Sequence, residues 1–95
     1  MKVYQVVDVI EYEPDIVFGT FLKEESARKF IEKMKHCSEC FHLSYLTEDA
    51  TDEERIAIMK SHCPNYERGK YWWCKNSIEG YSESVRIKEI NVIED

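Results

Sequence analysis

Four cysteines in a chain of 95 residues constrain this protein more than any other feature of its sequence. Cys37 and Cys40 form a Cys-x-x-Cys pair, whereas Cys63 and Cys74 are separated by ten residues. Four thiols in so short a chain suit either one tetrahedral zinc site or four ordinary free thiols. The choice decides whether a metal or packing alone holds the middle of the chain.

A zinc site would begin with the Cys-x-x-Cys pair, because a tight turn points both of its sulfur atoms at one ion. The sequence places this pair just after the first predicted helix. The predicted zinc ligands are Cys37, Cys40, Cys63 and Cys74, with His62 as the alternative ligand and His36 and His42 as further spares. In the competing interpretation no cofactor is bound, and the cysteines are small core residues or half-exposed thiols. A redox role is disfavoured, because redox pairs lie at helix N-termini.

The charge balance argues against several classes of partner. With 13 basic and 19 acidic residues the formal net charge is −6, and neither half of the chain contains a basic run. Nucleic acid and anionic membranes are therefore disfavoured as direct partners. A protein with a basic surface is the favoured electrostatic partner. The alternative is that the acidity only keeps the protein dissolved.

The N-terminal segment has no signal-peptide pattern, and no stretch approaches the ~20 apolar residues of a membrane span. We therefore predict a cytoplasmic protein whose thiols stay reduced.

The first half of the chain shows a hairpin followed by a helix. Residues 2–10 and 16–22 are rich in β-branched and aromatic residues, and Pro14 lies in the turn between them. The first strand has apolar groups on both faces, which is typical of a central strand. Gly19 predicts a bulge in the second strand. Residues 24–36 have the apolar spacing of a helix.

The second half of the chain is predicted with less regular patterns. Alternation predicts a strand over 41–46, and Thr51 begins a capping box for a helix that ends before Pro64. Strands are predicted over 71–75 and 81–93, the latter with a bulge or bend near residues 88–89. The order β-β-α-β-α-β-β predicts one α+β domain spanning 1–95, with a mainly antiparallel sheet and the helices packed on one face.

An aromatic segment follows the second helix. Tryptophan, tyrosine and arginine are the residues that most often anchor protein interfaces. The predicted partner-binding residues are Tyr66, Arg68, Tyr71, Trp72, Trp73 and Tyr81. The alternative is that both indole rings are needed to cover a small core. An exposed edge strand at 71–75 or 81–93 would allow a homodimer.

Catalytic motifs are absent from the sequence. It contains no Gly-x-Ser-x-Gly, no phosphate-binding glycine loop and no His-Glu-x-x-His. We therefore predict that the protein is not an enzyme. The competing hypothesis of a small enzyme requires a deep polar pocket in which His42 or His62 lies with a carboxylate.

Three short patterns resemble small uncharacterised bacterial and phage proteins that begin with a hairpin and a helix. They are Lys2-Val3-Tyr4-x-Val6-Val7, Phe18-Gly19-Thr20-Phe21 and Glu25-x-Ala27-x-x-Phe30-Ile31. The small acidic format is also similar to that of phage-encoded inhibitors of host defence such as anti-CRISPR proteins. The resemblance implies the fold of about the first 35 residues and brings no catalytic residues.

These observations favour a non-catalytic protein-binding module, in its concrete version a phage-type inhibitor that blocks a host or regulatory protein. The alternative is a zinc-stabilised structural or regulatory domain, whose ion is held by four cysteines or by three cysteines and one histidine.

Overall fold

The computed structural model describes residues 1–93 and has the predicted α+β class. Its elements, in chain order, are strands β1 (Lys2–Asp8) and β2 (Ile16–Phe21), helices α1 (Glu24–Leu46) and α2 (Asp52–His62), a 3-10 helix (Lys70–Trp72) and strand β3 (Val85–Asn91). Within these residues no helix is long and apolar enough to cross a membrane.

The chain groups into two compact units. The first, here called the sheet unit, contains residues 1–33 and the chain from residue 81 onward. The second, here called the cysteine unit, is Met34–Gly80. The packing of both helices on one face of the sheet stays a prediction.

In the sheet unit, β1 lies between β2 and β3 and pairs antiparallel with both. Val6 and Val7 are buried although neighbouring strand residues point to opposite faces, so both faces of β1 are covered. The predicted hairpin and the central position of the first strand are confirmed.

Gly19 lies at the predicted bulge. Val6 pairs with Gly19 and Val7 with Val17, which leaves Phe18 as the extra residue of β2. The bulge follows from local sequence, since a glycine inside an apolar strand commonly marks an irregular pairing.

The bulge predicted near residues 88–89 is wrong, and the last strand is shorter than predicted. β3 pairs with β1 in one continuous register from Val85 to Asn91. Ile87 lies opposite Val6 and Ile90 opposite Val3, on the two different faces of β1. Because both faces of β1 are apolar, the change of parity in β3 needs no bend.

The predicted strand over 41–46 is wrong, because α1 continues through it to Leu46. The alternating apolar residues predicted a strand. In the structure the buried positions are instead Cys40, Ser44 and Thr47, which have helical spacing. Both hydroxyl groups are satisfied within the helix: Ser44 donates to the carbonyl of residue 41 at 2.7 Å, and Thr47 to that of Leu43 at 3.0 Å.

In the cysteine unit, the predicted second helix is confirmed at both ends. The Thr51 hydroxyl accepts a hydrogen bond from the Glu54 amide at 3.2 Å. The helix ends at His62, with Cys63 as its C-terminal cap just before Pro64.

The strand predicted over 71–75 is wrong. A 3-10 helix occupies residues 70–72, and an isolated bridge joins Arg68 to Cys74. Tyr71 and Trp72 have φ angles of 53° and 71°, in the left-handed region that non-glycine residues seldom adopt. Two adjacent left-handed residues break the extended pattern that the sequence indicated.

The core of the cysteine unit is small. Cys40, Met59 and Tyr66 form a buried cluster, against which three half-buried residues pack. They are Leu43, Cys63 and Cys74. Because three of these six side chains are thiols, chemistry at the cysteines acts directly on the core.

Candidate metal centre

Three potential metal ligands converge between the two helices of the cysteine unit. His36 and Cys40 are four residues apart on one face of α1, and the His36 Nε2 to Cys40 Sγ distance is 3.8 Å. His62, the last residue of α2, stacks on the His36 ring with centroids 4.6 Å apart and planes at 7°. The three ligand atoms all lie within 4.8 Å of one another.

One residue of this group, His62, has a ring nitrogen that lacks the partner a buried polar group normally has. The Nε2 atom of His62 is buried and has no hydrogen-bond partner in residues 1–93. The nearest carboxylate oxygen, Oε2 of Glu39, lies 3.8 Å away, beyond hydrogen-bond distance. Cys40 is only 4% exposed. A buried nitrogen without a partner is costly, so its retention calls for an explanation such as a bound ion.

The spacing of the ligand atoms approaches that around a small tetrahedral ion. Bonds of 2.0–2.3 Å to nitrogen and sulfur place tetrahedral ligand atoms roughly 3.3–3.8 Å apart. The His36–Cys40 distance already meets this value, and the rest of the group needs to contract by about 1 Å. Each imidazole nitrogen presents its lone pair in the ring plane. Two parallel rings cannot both aim well at one ion, so binding requires one ring to rotate.

All four thiols influence this site. Burial, followed by the neighbouring Cys63 and Cys37 thiols, a hydrogen bond with Cys63 and the Cys74 thiol, raises the pKa of Cys40 to about 12. The four cysteines are free, Cys40 buried and the others half-buried. The structure thus brings the predicted sulfur ligands near one another, and its tightest group joins Cys40 to two histidines.

This group contains Cys40 and the alternative ligand His62 from the predicted ligand set. It also contains His36, which was predicted only as a further spare. The Cys-x-x-Cys pair does not lie in a turn after the helix as predicted, because both residues are inside α1. The sequence feature that identifies this group is the four-residue spacing of His36 and Cys40. This spacing places the two side chains on one face only if the helix continues to residue 40.

The residues of the aromatic segment differ in their burial. Tyr66 belongs to the buried core, where its hydroxyl donates to the Trp72 carbonyl at 2.8 Å. Tyr71 is 69% exposed, and Trp73 packs against it and against Phe41, with ring centroids at 5.9 and 4.6 Å. Trp72 and Trp73 are both half-buried, so neither indole is fully enclosed.

Arg68 is exposed, and its guanidinium lies over the Trp72 ring. Tyr81, the last predicted partner-binding residue, belongs to the sheet unit. The residues of the cysteine unit that remain available to a partner, here called the aromatic surface, are Arg68, Tyr71, Trp72 and Trp73.

A cavity of about 330 Å³ lies beside the histidines. Its lining residues are Ser38, Glu39, His42, Leu43, Leu46 and His62. It places His42 and His62 in one cavity with Glu39, and the enzyme hypothesis stays untested.

No protein-family model, no curated protein and no solved structure matches this chain. The resemblance of the first 35 residues to small bacterial and phage proteins therefore stays a prediction, as does the inhibitor role that it suggested. The functional argument rests on the geometry of the cysteine unit itself.

Proposed function

We propose that the protein is a small zinc-stabilised domain in which His36, Cys40 and His62 hold the ion. The observation that carries this proposal is the convergence of ligand atoms from three residues within 4.8 Å, and one of these residues, His62, has a buried ring nitrogen without a partner in residues 1–93. Nitrogen and sulfur ligands select zinc over magnesium or calcium, which take oxygen ligands.

Cys63 is the proposed fourth ligand. It follows His62 directly, it packs against the cluster that contains Cys40, and its thiol is among the groups that raise the pKa of Cys40. Four protein ligands close the coordination sphere, which is the arrangement of structural zinc sites. Zinc in such a site contributes folding free energy to a unit whose own core is small.

Elemental analysis of the purified protein tests the proposal. We expect stoichiometric zinc in the wild type and its loss in Cys40→Ser and His62→Ala. His42→Ala is the matched control, because His42 is exposed and lies outside the three-ligand group. Zinc retained by Cys40→Ser, or absent from a wild type purified without chelator and then supplied with zinc, would contradict the proposal.

Cobalt in place of zinc counts the sulfur ligands, because each thiolate adds intensity to the ligand-to-cobalt charge-transfer band. We expect this band to weaken in Cys63→Ser and to remain unchanged in Cys37→Ser. Equal spectra for the wild type and Cys63→Ser would show that another ligand, or water, completes the site.

A second function is favoured by the aromatic surface, which we propose as a docking site for another protein. Tyr71 is 69% exposed beside two half-buried indoles, and such clusters are typical of interface anchors. In this role the protein is a non-catalytic binding module, and the zinc site keeps the loop that carries the aromatic residues in shape.

Co-purification from the native cell, compared between variants, tests the docking role. Tyr71→Ala removes an exposed ring of the proposed docking site, so the partner should be lost. The ring lies outside the core, so the variant should stay folded. Tyr12→Ala, which removes a ring that is 97% exposed in the sheet unit, should retain it. A partner that survives Tyr71→Ala, Trp72→Ala and Trp73→Ala in folded protein would place the docking site elsewhere.

A further inference from the structure

We propose that the aromatic surface binds an acidic peptide segment of a partner protein, whose carboxylates pair with Arg55 and Arg68 beside the Trp72 ring. This inference rests on the docking role proposed above and goes beyond it by naming the chemistry of the partner. It also reverses the partner charge that the net charge of the whole chain suggested.

Two guanidinium groups from different elements meet at one indole. Arg55, on α2, has its Cζ atom 4.7 Å from the centroid of the Trp72 ring, and Arg68, in the following loop, has its Cζ 3.8 Å from it. Lys70 adds a third positive charge, with Nζ 5.0 Å from the Tyr71 ring. Cation–π contacts hold these groups in place and leave their charge uncancelled.

These three cations have no carboxylate partner within residues 1–93. Other basic residues of residues 1–93 are unpaired as well, so the distinguishing feature is that two guanidinium groups meet at one ring. Some cations elsewhere in the chain do form ion pairs. The side chains that form ion pairs with carboxylates include Lys2, Arg28, Lys29 and Lys88.

Arg55 also has unused hydrogen-bonding capacity. One of its terminal nitrogens, Nη2, donates to the carbonyl of Ser44, while its Nε is buried without a partner. No hydrogen bond of its Nη1 group occurs in residues 1–93. A carboxylate is the group that a guanidinium binds most directly, and because Nε is buried, Nη1 is the nitrogen of Arg55 left to donate to one.

The backbone at this surface is held in a conformation that costs free energy. Tyr71 and Trp72 are both left-handed, a state that costs roughly 1–2 kcal/mol for each residue other than glycine. Strained residues cluster at binding sites, where the strain keeps a side chain in position. Here the left-handed Tyr71 is exposed next to Lys70.

A peptide fits this surface better than nucleic acid. Three charges suffice for one or two carboxylates, whereas nucleic-acid affinity rests on neutralising many phosphates. The net charge of −6 repels a long polyanion beyond the immediate contact. Tyr71 and the half-buried indoles supply apolar contacts for a large side chain next to the carboxylates.

Selection of a random peptide display library on the immobilised protein, at low salt, tests this inference. We expect enriched sequences that combine aspartate or glutamate with an aromatic residue. A synthetic peptide of the enriched sequence should bind at least about tenfold more weakly to Arg68→Glu than to the wild type. Lys60→Glu is the matched control, because it makes the same charge change at an exposed position of α2. Near-ultraviolet circular dichroism checks that each variant is folded.

The outcomes separate this inference from the docking role. Enriched peptides that lack acidic residues but lose affinity with Tyr71→Ala would overturn the acidic partner and keep the docking role. Enriched acidic peptides that bind Arg68→Glu and the wild type equally would also overturn it. Oligodeoxythymidine binding that Arg68→Glu abolishes, with no peptide enriched, would overturn both in favour of single-stranded nucleic acid.

Discussion

The sheet unit and the cysteine unit satisfy their polar groups in opposite ways. In the sheet unit, β1 has a hydrogen-bonded neighbour on each side and its valines are buried. In the cysteine unit, two buried nitrogens, Nε of Arg55 and Nε2 of His62, lack partners within residues 1–93. Within residues 1–93, the buried side-chain nitrogens without partners thus belong to the cysteine unit, which is where we propose the ion and the partner's carboxylate.

Metal removal should give the largest effect and should act on one unit only. Both tryptophans lie in the cysteine unit, so their fluorescence reports on it alone. We expect a chelator to lower the free energy of unfolding followed by fluorescence by several kcal/mol, since zinc binding supplies on the order of 10 kcal/mol in small zinc domains. Hydrogen exchange at the amides of Val6 and Val7 should change little.

The control for this experiment is Cys40→Ser, whose stability should not respond to chelator. Loss of amide protection in β1 on chelation would contradict the contrast between the units. An unchanged fluorescence transition would mean that packing alone holds the cysteine unit.

A core mutation in the sheet unit should give the next largest effect. Val6 is 0% exposed, so Val6→Ala leaves a cavity and should cost about 2 kcal/mol in urea unfolding. Val17, which is 50% exposed on β2, provides the matched control, and Val17→Ala should cost well under half as much. Equal costs would mean that burial does not set the stability of the sheet unit. The zinc content should stay at the wild-type level in both variants.

The same contrast separates what the sequence could predict from what it could not. The β1–β2 hairpin, the Gly19 bulge and the Thr51 cap depend on residues close in sequence, and all three are found. The second half of α1 was missed because Ser44 and Thr47 are polar yet buried. Their hydroxyls bond to carbonyls of the same helix, which no hydrophobic pattern can register.

The sequence predicted the type of candidate site but not all of the residues that form it. The number of cysteines in the sequence indicated a metal centre. The predicted ligands included Cys40 and, as the alternative ligand, His62. His36 gains its place only because α1 continues past it and brings residues 36 and 40 onto one face. The meeting of Arg55 and Arg68 at Trp72 depends on the path of the loop between residues 62 and 70, which propensity does not determine.

Alanine substitutions at two glycines compare the stability cost of an added Cβ in the irregular loop with its cost at the bulge in the sheet. A Cβ at Gly69 would lie 2.7 Å from the Trp73 carbonyl oxygen and 2.9 Å from the Lys75 Cα, so backbone must move. We expect Gly69→Ala to cost about 1 kcal/mol or more in thermal unfolding. A Cβ at Gly19 would meet only the Phe21 ring, at 3.1 Å, and this ring can shift. A larger cost at Gly19 than at Gly69 would contradict this account.

The pH dependence of the metal-free protein should reveal the buried thiol. Burial raises the pKa of Cys40 from 9.0 to about 12 in the folded state, so the unfolded state loses this proton first as pH rises. The stabilising contribution is complete below pH 9 and is lost between pH 9 and about 12. We expect a decrease of about 1 kcal/mol between pH 8 and 10. Cys40→Ala should lack this decrease, and a metal-free wild type equally stable at both pH values would contradict it.

The smallest effect should come from the ion pair on the sheet surface. Lys2 Nζ lies 2.9 Å from Glu89 Oε1, and the two residues are diagonal neighbours on β1 and β3. A hydrogen bond with Glu89 raises the pKa of Lys2, so any stabilisation exists below pH 10.5 and disappears as the lysine deprotonates. Both side chains are at least half exposed, and water and salt screen such pairs. Glu89→Gln should therefore leave the midpoint of thermal unfolding at pH 7 unchanged at about 0.1 M and about 1 M salt. A clear decrease that salt abolishes would show that surface charge, and not the ladder and valines of β1, holds the sheet unit together.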